Sequence, residues 1–166
     1  MSNISRRKFL KGAGVAGLAV AAAGMLAGCS GSTYSKPVVP PVQDPTKEEV
    51  ILAAIDPEGK LTQTDVLDVE TAGLLLAYIA GKQANDMEDY HKQEMKLKSM
   101  IKTDKDKAYV VSNLIVQDIS AEDFSADAVK KALATYKYGK DATLVDIAVK
   151  ELEGVVYFAI VPVTVY

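Results

Sequence analysis

Cysteine is almost missing from this chain. Cys29 is the only one among 166 residues, so an intramolecular disulfide cannot form. Histidine is equally scarce, with His91 alone. Zinc sites of the Cys/His type need three or four such ligands, and covalent haem attachment needs a Cys-x-x-Cys-His run; both are excluded, and no cofactor or metal is expected. Arginine does not occur beyond Arg7. Duplex binding relies on a basic patch and on the planar arginine fork for bidentate contacts, so no nucleic-acid partner is expected. A dedicated phosphate site is disfavoured for the same reason. The basic residues before position 28 leave 15 of the 19 for the rest of the chain, against 22 acidic ones, a net charge of about −7. Also missing are Gly-x-Ser-x-Gly, His-Glu-x-x-His and a Gly-rich phosphate loop, short motifs of nucleophilic, metal-assisted and phosphate chemistry.

What is present begins at the N-terminus. Ser5-Arg6-Arg7-Lys8-Phe9-Leu10-Lys11 is a basic head that runs into a Gly/Ala-rich apolar segment, residues 12–27. A charged head, a short apolar run and a small-residue stop are the three parts of an export signal. The run falls short of the roughly 20 residues that a helix needs to cross the hydrocarbon core. Arg6 and Arg7 with Phe9 and Leu10 resemble the bacterial twin-arginine translocation signal, a receptor-read address. Leu26-Ala27-Gly28-Cys29 resembles the lipobox of bacterial lipoproteins, in which the cysteine thiol takes a diacylglycerol and the chain is cut just before it. This resemblance implies that Cys29 is the lipidated first residue of the mature protein, held to a bacterial membrane with its domain in the cell envelope outside the cytoplasm. More than one acyl chain is what stable anchoring requires. The alternatives are an uncleaved anchor for the stretch and a free buried thiol for Cys29.

The chain divides into three regions: a signal peptide over residues 1–28, a lipidated cysteine with a Pro-rich tether over 29–45, and one domain over 46–166. The tether's prolines favour extended polyproline-II backbone. Thr46-x-x-Glu49 is a capping-box pattern that predicts a short helix ending at the turn Asp56-Pro57-Glu58-Gly59. Residues 54–65 fit a calcium loop poorly, since position one would be Ala54 and the final glutamate is missing; a plain turn is expected. Residues 64–101 carry the longest helical pattern, with Ala72, Leu75, Leu76, Ile79, Gln83, Met87 and Tyr90 on one stripe. Gly73 and Gly81 weaken it, and a break is expected near Gly81. Residues 103–107 read as a polar connection and residues 109–119 as one strand. A helix of about 11 residues is expected from Ser125, with a stop at Gly139. Two closing strands, 143–152 and 155–165, meet at Glu153-Gly154. The first alternates apolar with polar residues, so that one face is half wet. The second is apolar on both faces, as a central strand would be, with Pro162 limiting pairing at its far end. This order predicts an α+β fold, helices packed on a small antiparallel sheet as an α-β-α sandwich.

Three stretches also resemble the CAP or SCP-like family of exported proteins. Residues 67–71 through Ala84-Asn85-Asp86-Met87 are similar to its first helix, and Ser112-Asn113-Leu114-Ile115 falls where the family has a Glu-Asn-Ile strand. Residues 126–133, Asp146-Ile147-Ala148-Val149 and Gly154-Val155-Val156-Tyr157-Phe158 are similar to its late helix and closing hairpin. The family cavity carries two histidines and two glutamates. Here Ser112 stands in place of one glutamate, and residues 135–140 hold no histidine. His91 is the candidate residual cavity residue, and a solvated position on a charged helix is the plainer reading of it. The resemblance implies a fold and not an activity.

Two functional expectations result. One is a membrane-anchored, non-catalytic binding or structural module with a protein or cell-wall polymer as partner. The other is a carboxylate-dependent hydrolase acting on cell-envelope glycan, for which no spacing singles out a pair of acids.

Overall fold

The computed structural model describes residues 43–136 and 141–166. Arg6, Arg7, Phe9, Leu10, the Leu26-Ala27-Gly28-Cys29 motif, most of the tether and the Gly139 helix stop lie outside the described residues. In chain order the described elements are α1 (Pro45–Ile55), β1 (Thr62–Gln63), α2 (Asp68–Ala84), α3 (Glu88–Lys98), β2 (Ile101–Asp104), β3 (Lys107–Val111), β4 (Ile115–Ser120), α4 (Ala126–Ala132), β5 (Leu144–Leu152) and β6 (Val155–Val165). The protein is an α+β fold.

The sheet is organised around β6. β5 pairs along one edge of it, while β3 and β4 share the other, all antiparallel. β2 extends the sheet beyond β3, and β1 adds a short parallel pairing to β5. The sheet is therefore six-stranded and mixed rather than small and purely antiparallel. Glu153 (φ 51°) and Gly154 (φ 75°) close the β5–β6 hairpin at the predicted point. Two successive positive φ values are what a two-residue type I′ turn requires.

Helices cover both faces. On one side α2 and α3 bury Leu67, Ala72, Leu74, Leu75, Ile79 and Leu97 against Ala148, Ala159, Val161 and Val163. On the other, α1 and α4 bury Ile51, Ile55, Val129 and Leu133 against Val145, Ile147, Val149, Phe158 and Ile160. The alternation of β5 thus separates two covered faces instead of a dry one from a wet one. Asp146 is 1% exposed and Ala148 3%. The expected half-wet face is corrected on this point: α2 lies over it.

Several boundaries move for identifiable reasons. α1 is capped by Asp44, whose Oδ1 accepts the Lys47 amide hydrogen at 3.2 Å, with Pro45 in the first turn; the Thr46 capping box is not used. Proline suits that turn because its missing N–H has no intrahelical partner there. After α1, Asp56 Oδ2 accepts the Leu61 amide at 2.5 Å and Gly59 (φ 69°) completes the turn. The long helical pattern divides into α2 and α3 at Asn85 (φ 53°), a left-handed C-cap. Gly81 is the residue that permits the corner, since a Cβ there would stand 2.7 Å from both Asp86 O and Met87 Sδ. The expected polar connection of residues 103–107 is the β2–β3 hairpin. α4 spans seven residues from its Ser125 N-cap, shorter than expected.

One irregularity decides which layer the β4 side chains enter. Val111 pairs with Val163 and Ile115 with Ile160, so one strand advances four residues while β6 advances three. The extra residue is a β-bulge, and it reverses which side chains face which layer. Tyr109 and Val111 lie under α2 and α3; beyond the bulge Leu114 and Val116 do. The expected single strand of residues 109–119 is therefore two. Pro162 sits opposite the break, its carbonyl accepting the Ser112 amide at 2.9 Å. Its missing N–H points to the same side, where the ladder is already interrupted. Pairing resumes beyond it, so Pro162 marks the bulge and not the end of pairing.

Candidate functional site

Because of the bulge, the acid in β4 turns toward the helices. Asp118 pairs with Tyr157 on β6 and shares its face. α2 places Tyr78 above this pair, and the Tyr78 hydroxyl donates to Asp118 Oδ1 at 2.6 Å. One helical turn on, Lys82 reaches the same oxygen at 3.2 Å, with its Nζ 5.8 Å from the Tyr78 ring centroid. α3 then folds back through the Gly81–Asn85 corner and brings Tyr90 against Tyr78. The Tyr78 ring meets Tyr90 at 5.3 Å with 70° between planes, and Tyr157 at 6.4 Å with 67°. Both are edge-to-face arrangements, the geometry that the aromatic quadrupole prefers.

The result is a half-buried patch of three tyrosines, one carboxylate and one ammonium at the seam of α2, α3, β4 and β6. Burial, followed by the hydrogen bond to Asp118, pushes the Tyr78 hydroxyl far above the ordinary tyrosine range. Burial, followed by the nearby Glu94 carboxylate, pushes Tyr90 up to about 12. These hydroxyls stay protonated at neutral pH, and that of Tyr78 is a hydrogen-bond donor to Asp118. Burial raises the Glu94 carboxyl, but hydrogen bonds from Lys98 and His91 outweigh it, and the net direction is down.

His91 lies at the margin of this patch. Its ring is 5.2 Å from that of Tyr90, its Nδ1 is 3.5 Å from Glu94 Oε2, and its side chain is 64% exposed on α3. Ser112 lies at the bulge, its hydroxyl 3.2 Å from that of Thr164. The structure therefore does not bring His91 and Ser112 together. Among the described residues, no group of three or more His, Cys, Asp or Glu side chains could hold a metal ion. No described helix is long and apolar enough to cross a membrane.

A small concavity lies on the opposite face, between α1 and α4. Ala54, Ile55, Lys130, Leu133 and Tyr136 line about 120 Å³. Sites for small organic ligands run to roughly 300–1,000 Å³, so this dimple is too small to hold one. Its Tyr136 hydroxyl donates to the Asn113 carbonyl and ties the end of α4 to the bulge.

Of the patch residues, sequence reasoning places only Tyr90 on the apolar stripe. Tyr78 and Lys82, four residues apart, are a readable pair that it misses. The shift of buried positions from 109 and 111 to 114 and 116, which turns Asp118 inward, is not readable in the sequence, because residues 109–111 and 114–116 are apolar at every position. Compared with protein-family models, with curated proteins and with solved structures, the chain matches none.

Proposed function

We propose that this chain is a lipid-anchored lipoprotein of the bacterial cell envelope whose domain binds a partner outside the cytoplasm without catalysing a reaction. The observation that carries the binding role is the Tyr78–Tyr90–Tyr157 patch. Aromatic rings with adjoining polar groups supply contact area at small conformational cost, and half-burial on a sheet-and-helix seam holds them in place. Protonated tyrosines beside a carboxylate already engaged by Tyr78 and Lys82 suit recognition better than acid–base chemistry. The anchoring part of the proposal rests on Arg6-Arg7 and on the Leu26-Ala27-Gly28-Cys29 sequence.

Two measurements test it. Cys29→Ser should abolish labelling by radioactive palmitate in cells and leave a full-length precursor; a labelled mature chain from that variant would remove the anchor assignment. Purified Cys29→Ser protein, which lacks the acyl chains, should be retained by isolated cell envelopes, and adding Tyr157→Ala, checked for an intact melting transition, should lower that retention several-fold. Undiminished retention would place the binding surface elsewhere.

A further inference from the structure

We propose that the tyrosine patch is a site for an alkylammonium group of the ligand, with Lys82 as its intramolecular occupant in the free protein. This rests on the patch being the domain's binding surface. Lys82 Nζ makes both contacts that an organic cation uses: a carboxylate oxygen, Asp118 Oδ1 at 3.2 Å, and an aromatic face, that of Tyr78 with its centroid at 5.8 Å. A cation within about 6 Å of a ring centroid is attracted by the ring quadrupole.

The receiving half of this arrangement is built into the sheet and braced by rings, and the occupying half is a partly exposed side chain. Asp118 stands on β4, which is paired along its length to the central strand, and its Oδ1 is held by the Tyr78 hydroxyl at 2.6 Å. Tyr78 is braced in turn by the rings of Tyr90 and Tyr157. Lys82 projects from the last turn of α2 with 47% of its side chain exposed. An ion pair so exposed contributes at most a factor of about five to an equilibrium, so a ligand ammonium displaces it readily. The freed lysine remains hydrated in solvent. Glu94 adds a second negative charge beside Tyr90. Lys150 pairs with Tyr157 across the β5–β6 ladder and is a further cation at the patch. A ligand presenting one ammonium therefore fits better than a polycation.

The test uses the full chain in detergent, with calorimetry and tyrosine fluorescence as readouts. The probes are Nα-acetyl-lysine methylamide, its uncharged norleucine analogue and a neutral N-acetylglucosamine oligomer. The lysine probe should bind and the norleucine probe should not. Lys82→Ala removes the internal competitor and should tighten the lysine probe about fivefold, while Asp118→Asn, which keeps an acceptor for Tyr78, should weaken it by a similar factor of about five. Unchanged or weaker binding by Lys82→Ala would overturn the proposal. If the glycan binds in a Tyr157-dependent way and the lysine probe does not, the ammonium assignment falls and the binding surface stands. If neither binds and the unlipidated Cys29→Ser, Tyr157→Ala protein still holds to envelopes, both fall.

Discussion

The two faces of the sheet are built from different chemistry. Under α1 and α4 lies an apolar cluster of Ile51, Val129, Val145, Ile147, Val149, Val156, Phe158 and Ile160, each no more than 1% exposed, and the buried acids on this side, Glu48 and Asp56, belong to α1 and its C-cap. Under α2 and α3 the aliphatic residues are interleaved with polar contacts. The Thr71 hydroxyl donates to the buried Asp146 carboxylate at 2.9 Å, and the Tyr78 hydroxyl to Asp118 at 2.6 Å. An apolar cluster draws its stability from area and packing. A face with buried polar groups must satisfy each of them, and gains a defined register and a chemically distinctive edge in return. The proposed binding patch lies at the edge of the α2–α3 face, beside polar groups that are already engaged.

Breaking the apolar cluster under α1 and α4 should have the largest effect. Phe158→Ala removes a fully buried ring and should cost about 3–5 kcal/mol, measured by urea unfolding; a loss under about 1 kcal/mol would mean that the cluster collapses around the gap. On the polar face, Thr71→Val keeps the shape but withdraws a donor from Asp146, for an expected loss of about 1.5–3 kcal/mol. If Thr71→Ser, which retains the hydroxyl, does no better than valine, the hydrogen bond is not the reason. Gly81→Ala should cost about 1–3 kcal/mol, because the new Cβ meets Asp86 O and Met87 Sδ at 2.7 Å. That strain should also disturb the Tyr78–Tyr90 contact, visible as altered tyrosine fluorescence. No such change would show that α3 shifts as a unit.

The smallest effect is alkaline. Tyr90 ionises near pH 12 in the folded protein and at about 10 in the unfolded chain. Its contribution is therefore complete below about pH 10 and is lost as pH rises toward 12, where only the unfolded chain releases the proton. Stability should decline through that window, with tyrosinate absorbance lagging until unfolding. Tyr90→Phe should make the decline shallower; an equal slope in the variant would assign it to other groups.

Much of the fold was legible because it depends on local pattern. The β5–β6 hairpin could be read from apolar runs around Glu153-Gly154, and the central place of β6 from its lack of any polar face. The α2–α3 break was signalled by Gly81, although the chain turns four residues later at Asn85, where α3 needs the bare glycine for close approach. The β2 strand was hidden because Ile101 ends the helical pattern and residues 103–104 read as a polar connection, while its strand state is decided by pairing with β3. The half-wet reading of β5 failed for a similar reason: alternation reports two faces but not whether a second layer covers the polar one. Asp146 looks like a surface residue until Thr71 is laid over it.

The sequence by itself determined the α+β class and the central strand, since these depend on periodicity and turn chemistry within a few residues. It also carries the paired arginines and the cysteine motif on which the anchoring proposal rests. Only the tertiary structure decided the tyrosine patch. One extra residue between β3 and β4 turns Asp118 from one layer to the other, and a side chain's layer depends on register with a strand some forty residues away.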